Sequence, residues 1–285
     1  MKNSATRPRP RMPNFGYHLA RAQGAAFRRV YAACLPAIVR RPIRHRRALP
    51  FEVYSYSGEA ALPEQVGSIR SLLRHAGSPK KFTVVSDGTY SPRSRALLQA
   101  LDPVVQVADA LPSAEIPADL RPYLTAHPTG RQLALIMSLP IAGPALYVDS
   151  DVLFFPGAAA LSSFAPEQNL YLTDCRLSAD ERLLHAPEEG THPVNTGVLF
   201  LAHPLDCSLG LERFRQLSAP PTFFTNQTIA HLALHADGAK AFDPEKFVLQ
   251  LDDQFVYPDC YASRALVLRH YVNPVRHKFW TAMSR

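Results

Sequence analysis

The stretch PALYVDSDVLFF, residues 144–155, carries two aspartates between two apolar runs. The first run has the composition of a buried strand, and Asp149 and Asp151 follow at its end. Because side chains alternate between the two faces of a strand, the two carboxylates are predicted to point the same way. Buried carboxylates need a cationic partner, and paired carboxylate oxygens are typical ligands of Mg²⁺ or Mn²⁺. We therefore predict a metal site at this strand end.

An Asp-x-Asp triplet is by itself a weak signal, so the segments before it matter. Three predicted strands alternate there with two predicted helices, at residues 51–57, 62–77, 81–88, 92–101 and 103–109. This alternation predicts a parallel sheet with helices on both faces. Ligands bind beyond the carboxyl ends of the strands in such sheets. We therefore expect Ser57, Ser86 and Asp149 along one edge of the sheet.

The segments after the aspartates extend the same α/β pattern. They comprise predicted helices at 129–140, 206–217 and 222–236, and predicted strands at 169–175, 192–204 and from residue 266 onward. The chain then runs into a basic, aromatic tail that includes Lys278 and Trp280. We predict one α/β domain over residues 49–285, preceded by a separate arm at residues 1–48.

The arm carries the positive charge of the protein. Residues 1–51 contain 12 Lys and Arg and no acidic residue, whereas the remainder has 19 basic against 24 acidic residues. From Phe15 to Ala33 the apolar residues follow a helical period, and Pro36 is expected to kink or end the helix. The longest uncharged stretch, residues 30–39, is too short to cross a bilayer.

Three interpretations of the arm remain open. Residues 14–47 could make peripheral contact with an anionic membrane, pack on the body or on a partner, or contact nucleic acid. Of these we do not expect nucleic acid as a partner. The four cysteines are far apart and form no CxxC pair, so a zinc knuckle is not expected and nothing requires an oxidising compartment. We expect a cytoplasmic protein, and the membrane interpretation would place it on the inner face.

Four features accompany the Asp-x-Asp strand. They are Arg131 on the helix before it, the Asn-Thr-Gly start of a strand at 195–197, Asn226-Gln227 on a helix, and His270 ahead of Lys278 and Trp280. With these features, the order of the segments over residues 51–280 resembles that of GT-A-fold glycosyltransferases, most closely the retaining family 8 group that includes glycogenin- and galactosyltransferase-like enzymes.

The resemblance implies a mixed, mainly parallel GT-A sheet and transfer of a sugar from a nucleoside-diphosphate sugar, with retention, to a glycan, lipid or protein acceptor. The implied site residues fall into three groups. The metal ligands, for Mn²⁺ or Mg²⁺, are Asp149, Asp151 and His270. The contacts to the donor are Ser57, Arg131, Asp149, Ser150, Asn195 and Lys278. The catalytic positions are Asp174, Asn226 and Gln227.

The chain departs from the family pattern at its tail and on one helix. Two extra residues separate His270 from Lys278, and Asn273 replaces a glycine and Phe279 a proline. Arg276 or His277 could therefore contact the diphosphate in place of Lys278. Asn226 stands where an acid is usual, which argues against a carboxylate nucleophile there. No acidic residue lies at 55–57, so the nucleobase is not implied.

Two other functions fit parts of the pattern. A haloacid-dehalogenase-type phosphatase also has an apolar strand that ends in Asp-x-Asp, with the first aspartate as nucleophile. Its motif usually opens the domain, whereas Asp149 lies at mid-chain and Val152 follows the pair. A catalytically degenerate GT-A scaffold that acts as a binding module is the non-enzymatic alternative.

Overall fold

The computed structural model of the protein describes residues 14–44, 47–110 and 116–283. Residues 1–13 of the predicted arm lie outside these ranges. The α-helices are α1 (Phe15–Ala33), α2 (Leu35–Val39), α3 (Leu62–His75), α4 (Pro92–Gln99), α5 (Pro128–Met137), α6 (Ser208–Arg215), α7 (Thr225–Ala236) and α8 (Lys278–Ala282). The strands are β1 (Glu52–Ser57), β2 (Phe82–Ser86), β3 (Val105–Ala108), β4 (Ala145–Val148), β5 (Val152–Phe154), β6 (Leu170–Thr173), β7 (Val194–Leu201), β8 (Lys240–Ala241), β9 (Phe247–Val248) and β10 (Leu268–His270).

A seven-stranded sheet in the order β3-β2-β1-β4-β7-β6-β8 forms the centre of the molecule. Strands β3, β2, β1 and β4 run parallel, and β7 is antiparallel to both of its neighbours. The register sets Ser57 beside Ser86 and Tyr54 beside Tyr147. The predicted mixed, mainly parallel sheet is thus confirmed, and the carboxyl ends of β2, β1 and β4 share one edge.

The central sheet is buried on both faces. On one face, Val53 and Leu146 pack in a cluster with residues of α3 and α4. On the other face, Tyr54 and Tyr147 pack in a second cluster with residues of α5 and α7. Adjacent residues of one strand therefore enter opposite cores, which is why these strands are almost continuously apolar.

The Asp-Ser-Asp segment is a turn between two sheets. The amide of Val152 donates to the carbonyl of Asp149 at 3.3 Å, and β5 then leaves the large sheet. It pairs antiparallel with β10 in a three-stranded sheet, with Val152 opposite His270. The two carboxylates are therefore brought together by a turn, and not by the alternation of one strand, which corrects the reason given from the sequence.

Helices α1 and α2 pack against the rest of the described chain. The side chain of Asn14 caps α1 by accepting from the amide of Tyr17. Gly24 lies so close to the carbonyl of His277 that an added Cβ would come within 2.3 Å of its oxygen. The helix ends at Ala33, and α2 begins two residues later, so the predicted break near Pro36 is confirmed. In the described part of the chain, no helix is both long and apolar enough to cross a membrane.

Candidate metal and donor-binding site

Asp149, Asp151 and His270 converge at the edge of the large sheet. One potential ligand atom from each lies within 4.8 Å of the others. The Nε2 atom of His270 is 3.1 Å from Oδ1 of Asp151 and 3.6 Å from Oδ2 of Asp149. Pairing of β10 with β5 sets this distance, because it holds His270 directly opposite the residue that follows Asp151.

The close approach of these groups changes their protonation. Burial, reinforced by repulsion from Asp151, raises the pKa of Asp149 to about 6 against the attraction of His270. Burial also opposes the charged form of Asp151, yet His270 and Arg276 hold its pKa below the usual value. Burial disfavours the imidazolium of His270, but the two carboxylates keep its pKa above the usual value. The carboxylates thus attract positive charge strongly.

The imidazole of His270 is held in one orientation by Asn195. Nδ1 lies 3.0 Å from Oδ1 of Asn195, which also accepts from the amide of Gly197 at 2.9 Å. With Nδ1–H as the donor, Nε2 faces the carboxylates, carrying a proton in the imidazolium and a lone pair for a metal in the neutral ring. Gly197 makes room for the ring, because a Cβ there would lie 2.0 Å from Cε1 of His270. The Asn-Thr-Gly sequence therefore contributes one orienting side chain and one position that must stay small.

Gln132 orients the first aspartate and was not identified from the sequence. Its Nε2 donates to Oδ1 of Asp149 at 3.0 Å, and the hydroxyl of Tyr147 donates to the same oxygen at 2.8 Å. Oδ2 of Asp149 is left toward His270. Nδ2 of Asn226 donates to Oε1 of Gln132 at 2.9 Å, so α5 and α7 are coupled at the site. The sequence shows only that this helix begins with polar residues, and the prediction named Arg131 among them as the donor contact.

Two of the predicted catalytic positions, Asp174 and Gln227, form a second polar group with Asn195 beside the triad. Asp174 accepts through Oδ2 from Asn195 at 3.3 Å and from Nε2 of Gln227 at 3.4 Å. Gln227 also donates to the backbone oxygen of Ser178 at 2.8 Å. Asn195 contacts both His270 and Asp174, so the two groups share one hydrogen-bond network.

Both groups open into one cavity of about 460 Å³. Its wall contains eight of the residues predicted from the sequence, all of them polar or charged. They are Asp149, Asp151, Asp174, Asn195, Asn226, Gln227, His270 and the alternative diphosphate contact Arg276. Tyr56, Gln132, Arg176 and Phe223 also line it. The cavity therefore combines a cluster of carboxylates, guanidinium groups and amides in one volume of small-molecule size.

The turn before α8 directs the basic side chains of the tail to different surroundings. Arg276 lines the cavity, and its side chain is half exposed. Lys278 is 1% exposed and points the other way, where its ammonium pairs with Asp253 at 2.8 Å and donates to the carbonyl of Pro258. The Nδ1–H group of His277 donates to the backbone oxygen of Pro274 at 3.1 Å. Of these candidates for the diphosphate contact, the structure brings Arg276 to the site.

Besides Lys278, three further predicted donor contacts lie outside the cavity wall. Ser57 is buried, and its hydroxyl donates to Gln65 at 2.7 Å. Arg131 lines a smaller neighbouring cavity of about 260 Å³, and its guanidinium donates to the backbone oxygens of Ser86 and Asp87. Ser150 is the middle residue of the turn and is partly buried. Each lies near the edge of the sheet, but none faces the metal cluster directly.

The donor set of the triad suits a divalent cation. Two carboxylates and one neutral imidazole match the oxygen and nitrogen ligands preferred by Mn²⁺, and Mg²⁺ also accepts carboxylates. The hydrogen bonds of Asn195 and Gln132 supply the outer contacts that metal-binding side chains normally have. The residues present therefore fit a metal site.

This combination of sheet, turn and site defines the GT-A class of fold. The structure is similar to that of the galactosyltransferase LgtC in complex with donor and acceptor sugar analogs, with a TM-score of 0.52 and 13% identity over 82% of this chain and 95% of that one. An active-site mutant of LgtC gives a TM-score of 0.51. WbbM, a bifunctional glycosyltransferase, gives 0.53 with 14% identity, over 85% of this chain and half of that one.

No protein-family model matches the sequence, and no curated protein matches it either. The structural likeness, at these low identities, establishes the fold. The chain has the GT-A glycosyltransferase fold, as its sequence pattern predicted.

Proposed function

We propose that the protein is a metal-dependent glycosyltransferase that moves a sugar from a nucleoside-diphosphate sugar to an acceptor with retention. The observation that carries this proposal is the convergence of Asp149, Asp151 and His270 in a cavity that also contains Arg276. LgtC, which has the same fold, was solved with donor and acceptor sugar analogs, and this supports the same substrate class here.

Asp149, Asp151 and His270 would hold Mn²⁺ or Mg²⁺. When bound, the metal would neutralise charge on the departing diphosphate as a Lewis acid. The protein prepares the ligands for this role. Gln132 and Tyr147 occupy one oxygen of Asp149 and leave the other directed at His270. Asn195 fixes the tautomer of His270. Asp149 and His270 therefore need not reorient when the metal binds.

Arg276 is our candidate for the diphosphate contact. It is the tail cation that lines the cavity, and its half-exposed guanidinium can rotate toward a phosphate without disturbing the core. Planar guanidinium groups bind phosphate oxygens through paired hydrogen bonds. Lys278 would have to break its ion pair with Asp253 to reach the same group, because the two side chains are almost fully buried together. Arg131 and Ser57 would act indirectly by bracing the strand ends.

The polar group around Asp174 would position the transferred sugar. Asn195 and Gln227 present amides to the cavity, and both are fixed by the carboxylate of Asp174. Amide groups can bind sugar hydroxyls without supplying a strong nucleophile. Asn226, which replaces an acid and is bonded to Gln132, cannot act as a carboxylate nucleophile. Retention is proposed from the resemblance to the retaining family 8 enzymes, and attack by the acceptor on the face that the diphosphate leaves needs no protein nucleophile.

The acceptor is proposed to be a glycan, a lipid or a protein. A cytoplasmic location is proposed as well, supported by the four cysteines, which are all present as free thiols. Peripheral contact of residues 14–47 with an anionic membrane is supported by the apolar residues that α1 exposes, among them Phe15 and Leu19.

The proposed function is tested by measuring nucleoside diphosphate release and sugar transfer. A panel of nucleoside-diphosphate sugars would be offered with and without Mn²⁺. The wild-type protein and Asp151→Asn would be compared, with Asp102→Asn as a matched control outside the cavity. We expect one donor to release its nucleoside diphosphate in the presence of metal, and Asp151→Asn to abolish the release. Phosphate release from a simple phosphomonoester would instead favour the phosphatase. Metal-dependent donor binding without turnover for any acceptor offered would favour the degenerate scaffold.

A further inference from the structure

A second cavity, which the proposed reaction does not use, lies between the arm and the domain. It has a volume of about 650 Å³ and is enclosed by α1, α2, the segment 41–44, helix α3, strand β5 and the end of α8. Four arginines share its wall: Arg41, Arg44, Arg70 and Arg74. Among the described residues, no Asp or Glu lines it. A cavity with this one-sided charge is unusual for a structural gap and is typical of a site for an anion.

The charge of this cavity is not neutralised within the described protein. In the ranges 14–44, 47–110 and 116–283, none of the four guanidinium groups lies within ion-pair distance of a carboxylate. Burial, together with the like charges of Arg41 and Arg74, lowers the pKa of Arg70. His75 adds no charge, because burial and Arg74 lower its pKa to about 4. A bound anion would relieve the repulsion among the arginines.

Arg70 is already fixed in a position to receive such an anion. Its Nη1 donates to the carbonyls of Ile38 and Arg41 at 2.9 and 3.0 Å, which anchors one side of the guanidinium. The hydroxyl of Tyr31, in the same wall, is buried and has no hydrogen-bond partner in the described structure. Buried hydroxyls are normally satisfied, so Tyr31 adds a polar group without a described partner to the wall that holds the four arginines.

The remaining wall of the cavity is apolar. Leu153, Phe154 and Phe155 form part of it, together with Ile43 and Met283. An inorganic anion would leave this surface uncovered. A ligand with a phosphate group at one end and an alkyl portion at the other would satisfy both halves of the wall.

Helix α1 presents an apolar face to solvent next to the cavity. Phe15, Leu19 and Val30 lie on one stripe of the helix and are 73%, 60% and 64% exposed. The opposite face packs on the domain through Ala20 and Gly24. Val30 ends the stripe, and the next residue, Tyr31, points about 100° away from it, into the cavity wall. An outward apolar stripe flanked by basic residues is typical of helices that lie in a membrane interface.

We propose that the arginine-lined cavity binds the phosphate group of an anionic lipid while the outer face of α1 rests in the bilayer interface. The chemistry recognised is a phosphate ester that bears an apolar chain. The lipid source is favoured over a soluble phosphate because a phosphate alone would leave the apolar part of the cavity wall uncovered. The proposal does not depend on the identity of the reaction.

The test uses the full chain, vesicles and the single tryptophan. Co-sedimentation would compare vesicles of phosphatidylcholine alone with vesicles that also contain phosphatidic acid. In solution, hexyl phosphate and inorganic phosphate would be titrated while the emission of Trp280 is recorded. Trp280 is the sole tryptophan of the chain, and its ring lies 5.3 Å from that of Tyr31. Arg41→Gln/Arg74→Gln would be compared with Arg121→Gln/Arg264→Gln, in which all replaced side chains are exposed and the same charge is removed.

We expect the wild type to bind phosphatidic acid vesicles and hexyl phosphate, and the cavity double variant to bind both at least about tenfold more weakly. The control double variant should stay within about twofold of the wild type. Equal losses of binding in the two double variants would show that only the overall charge matters. That result would overturn the proposed site. Inorganic phosphate that binds as tightly as hexyl phosphate, without vesicle binding, would overturn the lipid assignment.

Discussion

Arg276 directs two nitrogens at one carboxylate oxygen of Asp151. Its Nε and Nη2 atoms lie 3.0 and 2.6 Å from Oδ2, while Oδ1 of the same carboxylate faces His270. The guanidinium thus neutralises a nearly buried aspartate from the open side of the cavity. A cation bound by Asp151 and His270 would compete with this contact, and a diphosphate beside the metal would offer Arg276 new oxygens.

Arg276→Ala should therefore separate donor binding from metal binding. We expect the affinity for the nucleoside diphosphate in the presence of Mn²⁺ to fall about tenfold or more, since a charge-assisted hydrogen bond is lost. Mn²⁺ affinity without nucleotide should stay equal or rise, because a competitor for Asp151 is removed. Titration calorimetry measures both. Arg264→Ala, at an exposed position away from the cavity, is the control, and a loss of metal affinity alone would contradict this role.

Lys278→Met should behave in the opposite way. The ammonium of Lys278 and the guanidinium of Arg269 are both buried and both pair with Asp253 at 2.8 Å. Removal of one partner from a buried ion pair costs about 3 kcal/mol or more of folding stability. Urea unfolding should show this loss, while nucleoside diphosphate affinity of the folded protein stays unchanged. Donor affinity that falls without a change in stability would return the diphosphate contact to Lys278.

The contrast between these two residues shows where sequence reasoning was sufficient. The strand-helix alternation predicted the sheet, and the Asp-x-Asp context together with the family resemblance predicted which residues form the triad. The tail could not be resolved in the same way. Two extra residues lead into α8, and the direction of each side chain on a short turn depends on packing that no spacing rule describes.

Helix α5 shows the same limit. Successive residues of a helix point about 100° apart, so Arg131 and Gln132 cannot both face the cavity. Which one does so depends on how α5 sits on the sheet. Packing of Leu133 and Ile136 against the second core cluster turns Gln132 toward Asp149 and Arg131 toward the end of β2. Polarity alone gave no reason to prefer either residue.

Gly197→Ala tests whether the space beside His270 is required. An added Cβ would overlap the imidazole and crowd Oδ1 of Asn195, 2.9 Å away, so the ring must move from its position. We expect Mn²⁺ affinity to fall about 10–100-fold, as for other losses of ligand orientation. Circular dichroism should show an intact fold. Gly143→Ala is the control, because a Cβ there meets no atom within 4 Å. The positive φ of Gly143 adds backbone strain to this variant, but its metal affinity should stay unchanged. An unchanged affinity in Gly197→Ala would contradict the proposed ligand geometry.

Metal affinity should rise with pH between about 5 and 8. Asp149 has a pKa raised to about 6, mainly by burial, and the pKa of His270 lies above its usual value because of the two carboxylates. A metal competes with protons at both groups, so below these pKa values protons must leave before binding, and affinity falls. Above them both ligands are already deprotonated, and affinity levels off. Calorimetry in buffers of different ionisation enthalpy should detect about one to two protons released per Mn²⁺ near pH 5.5 and fewer at pH 8. Affinity and proton release that do not vary across this range would exclude Asp149 and His270 as joint ligands.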